Sequence, residues 1–416
     1  MKKLLFLGAA KFQIPPIEYA LSKGYFVITC DNKPDNPGHR LAHKTFDVST
    51  IEKFEILRIA KQEKIDGILT FGSDISAPTV AFVAEQMGLP GNSYNTVLTL
   101  TNKSSFRNFL HFNGLQLLNY RTFKASEKKE VFDYIRTMKC PIILKPVDSA
   151  GSKGVSLVIG LDDLNTLVDY AFSESFSEEI IAETYIKKLG KQVCGDGFME
   201  DGKLVFIEFG DGYFYDDGKL WAPFAETFPS AHKNMNLNKI KKLLEKILIK
   251  AKLLRGPFNF DVLITQNEEP FVIEIGPRNG GNYIPTAIFL KTNVDLIEAT
   301  VESCLDWNYK IDLNKERSKK FYSCYMLHSL VSGVLEKIKF DKNLKKYTVQ
   351  FNPYVTYGET VKPFCKASDA IGNLVLRFDS MEEMLEIIAK FDSYYSLVLK
   401  KELTQNIEFC AANVKE

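Results

Sequence analysis

Strand-length apolar runs alternate with helix-length segments along the first hundred residues. Residues 3–7, 26–30 and 67–71 are nearly all apolar, and residues 14–23 and 51–63 between them carry helical patterning. This alternation predicts a parallel α/β sheet. Gly8 ends the first strand at the place where ligands bind in such sheets. No GxGxxG fingerprint follows, which argues against a nicotinamide dinucleotide. Asp31, just past the second strand, reads as a ribose-binding acid or as an ordinary loop residue. Phe71-Gly72-Ser73-Asp74 closes the third strand and offers polar groups to a small substrate. Leu89-Pro90-Gly91 punctuates the end of this first unit.

A second unit opens near Thr101. Asn102-Lys103-Ser104-Ser105 precedes a helical run over residues 106–113, which Ser104 or a polar neighbour would cap. Residues 140–146 form a buried-looking strand ending near Lys145, and a lysine closing an apolar strand needs an anionic partner. Directly downstream, Ser149, Gly151, Ser152, Lys153 and Gly154 set small residues around a lysine. Such a loop lets backbone N–H groups approach a phosphate chain. Its spacing is not that of a Walker A loop, and a plain hairpin turn fits the same residues. Residues 161–172 pattern as a helix, 179–182 as a strand ending at Glu183, and 192–199 with 203–209 as a strand pair. Residues 237–254 form an amphipathic helix, with Leu237, Ile240, Leu244, Ile247 and Leu248 on one face and a solvated lysine face opposite.

The most informative stretch comes next. Apolar runs over residues 258–264 and 270–275 flank the polar turn 265–269, the pattern of a β-hairpin. A carboxylate interrupts each run: Asp261 in the first, Glu274 in the second. On paired strands the two would converge on a hard cation, since Mg²⁺ is usually held by one or two carboxylates plus phosphate oxygens. The alternative is that both point to the solvent face of an alternating strand. Arg278 follows at once, suited to a phosphate or a carboxylate. Beyond Asn282, residues 283–290 and 295–305 read as helices, 308–320 as a charged linker, and the tail from residue 321 as a small α+β cap.

Composition changes this picture little. The chain has 416 residues, enough for two or three domains, and a net charge of +1. That balance gives no bulk drive toward nucleic acid or an anionic membrane. Seven scattered cysteines without a CxxC suit a reducing, cytoplasmic setting and no structural zinc. No run reaches transmembrane length, and the start reads as a first strand rather than a targeting segment. The five histidines offer no Cys–His or Ser–His pairing for nucleophilic catalysis.

Taken in order, these elements resemble the ATP-grasp superfamily of ATP-dependent carboxylate–amine ligases. The tail, with Gly358-Glu359-Thr360-Val361 and Ile371-Gly372-Asn373, is similar to the cap of the L-amino-acid ligase branch. The resemblance implies a mixed α/β and α+β fold. A Rossmann-like pre-ATP-grasp domain would cover residues 1–100. An ATP-grasp domain over 101–312 would divide into clasping subdomains at about 101–182 and 183–312, and a cap would cover 313–416. ATP and Mg²⁺ or Mn²⁺ are the implied cofactors. Lys103 and Lys145 match the lysines that bind ATP phosphates, and Ser149, Gly151, Ser152, Lys153 and Gly154 match the mobile glycine-rich loop. Glu183 and Ile186 match the hinge that faces adenine, while Gln192 stands where many relatives carry a ribose-binding acid. Asp261 and Glu274 match the metal-binding acids. The usual E-x-N reads Glu274-Ile275-Gly276, so one common magnesium ligand is missing. Arg278 matches the arginine beside the transferred phosphate. Arg278, Asn282 and Lys145 are the implied catalytic residues.

The implied chemistry activates a small carboxylate, an amino acid, as an acyl phosphate that an amine attacks. The implied partners are small molecules, not nucleic acid or membrane, and homodimers are common in the family. The aromatic segment 211–229, with Trp221, would line an acceptor pocket or form a packed loop. Three other readings stay open: a carboxylase using bicarbonate, a nucleotide-binding regulatory protein without turnover, and, most remote, a dinucleotide-dependent oxidoreductase.

Overall fold

The computed structural model describes residues 1–215 and 220–400. They cluster into two compact units, each assembled from three separate stretches of chain.

The first unit comprises Met1–Gln116, Val193–Phe209 and His232–Arg317. Its parallel sheet has the strand order Lys44–Phe46, Phe26–Cys30, Lys3–Leu7, Gly67–Thr70. Leu5 pairs with Ile28 on one side and Ile68 on the other. The central strands are buried on both faces, which explains their continuous apolar runs. One face packs Leu5, Ile28 and Ile68 against Ile56, Ile59 and Val83. The other packs Leu4, Phe6 and Leu69 against Ile17 and Val301. Val301 lies on helix Leu296–Ser303, far along the chain. The Tyr19 and Tyr25 hydroxyls both donate to Glu302 at the end of that helix, at 2.9 Å each.

An antiparallel sheet completes this unit, with Pro270–Gly276, Gly256–Ile264, Gln192–Glu200 and the first part of Lys203–Tyr213 side by side. Helix Asn234–Ala251 lays Ile240, Leu244, Ile247 and Leu248 against Phe258, Phe260, Val262 and Val272. Leu100, Phe106 and Leu110 join the same core. The helix begins three residues before the expected start and ends at Ala251, because Lys252 takes a left-handed conformation (φ 60°). Of the polar residues expected to cap the helix that follows Thr101, Asn102 is the one that does so. Helix Lys103–Phe112 starts at Lys103, and the Asn102 side chain caps it by accepting from Ser105 N at 2.9 Å.

The second unit comprises Leu117–Gln192, Gly210–Ala231 and the chain from Ser318 on. Its first sheet is antiparallel, in the order Tyr120–Lys124, Glu179–Thr184, Ile142–Pro146, Ser156–Val158. Helices Lys128–Thr137 and Leu164–Ser173 cover it, with Val131, Ile135 and Val168 packed on Phe123, Leu144 and Ala182. Strands Ala225–Phe228, Phe321–Leu327, Gly372–Phe378 and Thr348–Pro353 lie side by side. Helix Met381–Ala389 seats Met384, Ile387 and Ile388 against them. Ser380 caps that helix, accepting from Glu383 N at 3.1 Å. A three-stranded sheet of Thr360–Val361, Gly333–Phe340 and Tyr395–Lys400 accompanies them. Among the described residues no helix is long and apolar enough to cross a membrane.

Candidate active site

In the first unit the hairpin forms as its pattern predicts. Glu268 N donates to Thr265 O and Thr265 N to Glu269 O, closing the turn. Asp261 and Glu274 are direct register partners across the two strands. Both side chains are half-buried, and the register shifts just after Asp261. Bulges of this kind re-aim side chains and are over-represented beside active sites. Like charges directly opposite each other repel, and a divalent cation held by both would offset that repulsion. Among the described residues no group of three or more acids, histidines or cysteines is placed to hold a metal. Asp261 and Glu274 offer a pair of carboxylates, and an ion such as Mg²⁺ takes one or two carboxylates and completes its shell with phosphate oxygens and water.

Arg278 follows on the loop leaving the second strand and is only 8% exposed. Its Nη1 donates to Asn279 O at 3.0 Å and its Nη2 to Asp74 Oδ2. Burial works against its charge, but Asp74, Glu274 and Asp196 outweigh burial and hold the guanidinium above its usual range. Gly276 stands where the resemblance implies an asparagine, and the side chains of Asp74 and Arg278 fill the space over it. A Cβ there would overlap Asp74 Oδ1 and come within 2.9 Å of Arg278 Cζ. Asn282 and Tyr283 take left-handed conformations (φ 53° and 64°) as the loop turns into helix Ile284–Thr292. Lys103, half-buried, is the first residue of its helix in the same unit.

Asp196 was not legible as a site residue. It is fully buried, accepts from Asn259 Nδ2 at 2.8 Å, and accepts from Gly280 N at 2.9 Å. It thereby ties the Arg278 loop to the strand floor. The available signal was an acid between two glycines, Gly195-Asp196-Gly197, inside an apolar strand. Burial pushes the Asp196 carboxyl up to about 6, against the pull of Asn259, Gly280 N–H and Arg278. An unfolded aspartate titrates near about 3.9. The folded state therefore holds this proton more tightly, so its contribution to stability falls as pH rises from about 4 to about 6 and is level above that. The span corresponds to about 3 kcal/mol. Asp196→Asn should flatten that part of the pH–stability curve, measured by urea melts from pH 4 to 7. An unchanged slope would place the proton elsewhere.

Where a dinucleotide would enter the parallel sheet, the protein is filled by its own side chain. Gln13 is buried, its Nε2 donates to Leu7 O at 3.2 Å and Phe71 O at 3.0 Å, and its Oε1 accepts from Ala10 N. Asp31 is a loop residue, accepting from Ala9 N, Lys33 N and Asn36 Nδ2.

In the second unit the anionic partner expected for Lys145 is Glu183. Each residue is 5% exposed and the two form an ion pair. They come from adjacent strands, where Lys145 pairs in register with Ile181 and Glu183 with Ile143. The loop after Lys145 turns through Gly151, Ser152 and Gly154, at φ 68°, 63° and 70°. A Cβ on Gly154 would press on Pro146 Cγ at 2.6 Å, so glycine is required for space as well as conformation. Ser149 is buried, Lys153 is half-buried, and Ser152 Oγ donates to Trp221 O at 2.7 Å. Asp148 anchors the loop's base by accepting from Phe176 N and Ser177 N. The loop joins an antiparallel strand pair, so the hairpin-turn reading and the phosphate reading describe the same backbone. Ile186 and Gln192 are half-buried beyond the strand that ends at Thr184.

Within the segment 211–229, residues 216–219 lie outside the described residues. Tyr213 packs in the core of the second unit, and Phe224 packs against that core and lies 5.0 Å from Tyr215. His328 is a packing residue, as its surroundings suggest. Its Nδ1 lies 2.7 Å from Met326 O and its Nε2 2.7 Å from the Tyr215 hydroxyl, and burial lowers its pKa.

Comparison with known proteins bears on both constellations. Residues 138–287 match the ATP-grasp domain. The L-arginine-specific L-amino acid ligase of Bacillus subtilis is 24% identical over 61% of this chain and 60% of its own length. The solved L-amino acid ligase of Bacillus licheniformis superposes with a TM-score of 0.82 at 19% identity, covering 96% of this chain and 99% of that one. The N5-carboxyaminoimidazole synthetase of Staphylococcus aureus, solved complexed with ADP, gives a TM-score of 0.71 at 17% identity, covering 94% and 97%. The fold is the ATP-grasp fold, and residues 138–287 are similar to an ATP-grasp domain. It spans about half the length of the curated relatives it first matches.

Proposed function

We propose that this chain is an ATP-dependent, ADP-forming ligase that acts in the cytoplasm. It activates a small carboxylate, an amino acid, as an acyl phosphate and joins it to an amine. The observation that carries this reading is the register pairing of Asp261 with Glu274 on a hairpin that delivers Arg278 immediately afterwards. Similarity to an L-amino acid ligase supports it from a separate direction.

A carboxylate is a poor electrophile, and its oxygen is a poor leaving group. Transfer of the ATP γ-phosphoryl group to it supplies a good one, and the incoming amine then expels phosphate. The first transfer gathers negative charge, so catalysis is mostly charge neutralisation and positioning. Lys103, Lys145 and Arg278 are the cations assigned to it, with Asn282 helping to position the reacting groups. The backbone N–H groups of residues 149–154 hold phosphate oxygens and keep water from the acyl phosphate. Glu183 orients Lys145 and accepts from the adenine amine, Ile186 lines the adenine, and Gln192 takes the ribose side. Asp261 and Glu274 would hold Mg²⁺, which when bound offsets the charge of the triphosphate.

The test is ADP and phosphate release from the full chain with ATP, Mg²⁺ and a panel of single amino acids, amino-acid pairs and bicarbonate. Release that requires a particular amino-acid pair is the expected result. Release with bicarbonate alone would move the protein to the carboxylases. ATP binding with no release across the panel would overturn the ligase reading.

A further inference from the structure

Asp74 ends the turn after strand Gly67–Thr70, at the carboxyl edge of the parallel sheet, where such sheets bind their ligands. The Arg278 loop lies against that turn, since Gly72 N donates to Asn279 O at 3.2 Å. Between them sits the Asp74–Arg278 ion pair, and it is incomplete. Only Nη2 and Oδ2 engage. Asp74 Oδ1 and Arg278 Nε are both shielded from water and have no hydrogen-bond partner.

A buried donor or acceptor left unmatched costs about 1–3 kcal/mol. A guanidinium and a carboxylate can satisfy each other with two parallel bonds, so two residues serving only one another have a better arrangement available. Here one acceptor and one donor remain over. Both lie above Gly276, where a Cβ would overlap Asp74 Oδ1 and sit 3.0 Å from Arg278 Nε. The absence of a side chain at 276 keeps these two atoms together.

A ligand that completes both must bring a cationic donor and an anionic acceptor a few atoms apart. We infer that Asp74 and Arg278 form the recognition site for the zwitterionic end of the amino acid that is activated, Asp74 taking its α-ammonium and Arg278 its carboxylate. This rests on the ligase reading and adds the residue, Asp74, that selects an amino acid over a plain carboxylate. Pairing with a carboxylate favours the charged form of an amine. The ammonium of the activated amino acid thus stays protonated and cannot attack an acyl phosphate, which leaves the attack to the second substrate's amine.

The test is calorimetric binding of the twenty proteinogenic L-amino acids to the full chain, followed, for each that binds, by its des-amino carboxylic acid. At least one amino acid should bind, and its des-amino acid should bind roughly 10- to 100-fold more weakly, the range for a hydrogen bond between charged groups. Asp74→Asn should erase that difference by weakening the amino acid alone. Unchanged binding of the des-amino acid also reports that the variant is folded and Arg278 in place. No amino acid bound, equal binding of the two acids, or an equal loss of both in Asp74→Asn would each overturn the inference. The two readings fail separately. Discrimination for the ammonium without ADP formation would sink the ligase reading alone. ADP formation with carboxylates that lack an ammonium would sink this inference alone.

Discussion

Asp261→Asn and Glu274→Gln are each expected to lower ATP-dependent turnover by roughly a hundred- to a thousandfold, the usual scale for removing one electrostatic stabiliser from a reaction centre. Thermal stability is expected to stay level or rise slightly. The two carboxylates face each other directly across the strands, and turning one into an isosteric amide relieves a repulsion of about 0.2–1 kcal/mol. Loss of activity without loss of stability separates a functional pair from a structural one. Steady-state kinetics beside a melting curve reads both quantities. Full turnover in either variant would remove the carboxylate pair from the chemistry.

Lys145→Ala is expected to act in two ways that a second substitution can separate. The lysine and Glu183 are each 6% exposed in their side chains. Removing one partner of a buried ion pair strands the other charge and costs about 3–5 kcal/mol. The single variant should therefore melt early as well as bind ATP weakly. Adding Glu183→Gln removes the stranded charge, so much of the stability should return. ATP affinity should remain roughly 10- to 100-fold below that of the unmodified protein, because a bond from lysine to phosphate is still missing. A nucleotide titration on the double variant is the measurement. Normal affinity there would show that Lys145 serves the fold and not the phosphates.

What could be read in the chain depended on whether chemistry interrupted a pattern. Asp261 and Glu274 stood out because each breaks an apolar run, and Lys145 because it closes one. Their partners were much harder to see. Glu183 lies on an adjacent strand 38 residues along the chain, and no local spacing encodes that pairing. Asp74 and Arg278 are 204 residues apart. Gly276 was visible as a departure from the family pattern, but the packing of Asp74 and Arg278 over it exists only in the fold. Helices Ala77–Met87 and Tyr94–Thr101 went unread. Their small and β-branched residues give a weak helical stripe, and tertiary packing of Val83 and Leu100 holds them. The apolar pattern starts the next helix at Phe106, whereas it begins three residues earlier at Lys103, because the polar first turn carries no apolar stripe and is fixed by the Asn102 cap.

Each compact unit is stitched from three stretches of chain, with those of the other lying between them. The sequence is thus read out by a ribosome in an order the fold does not follow. Residues 1–116 meet the last of their packing partners only when residue 317 has been made. At about 5–20 residues per second, the intervening two hundred residues take roughly 10–40 s. During that interval the faces of Leu4, Phe6 and Ile17 that Val301 covers stay uncovered, and the Glu302 carboxylate that ties down Tyr19 and Tyr25 does not yet exist. No single cut in the polypeptide yields either unit whole.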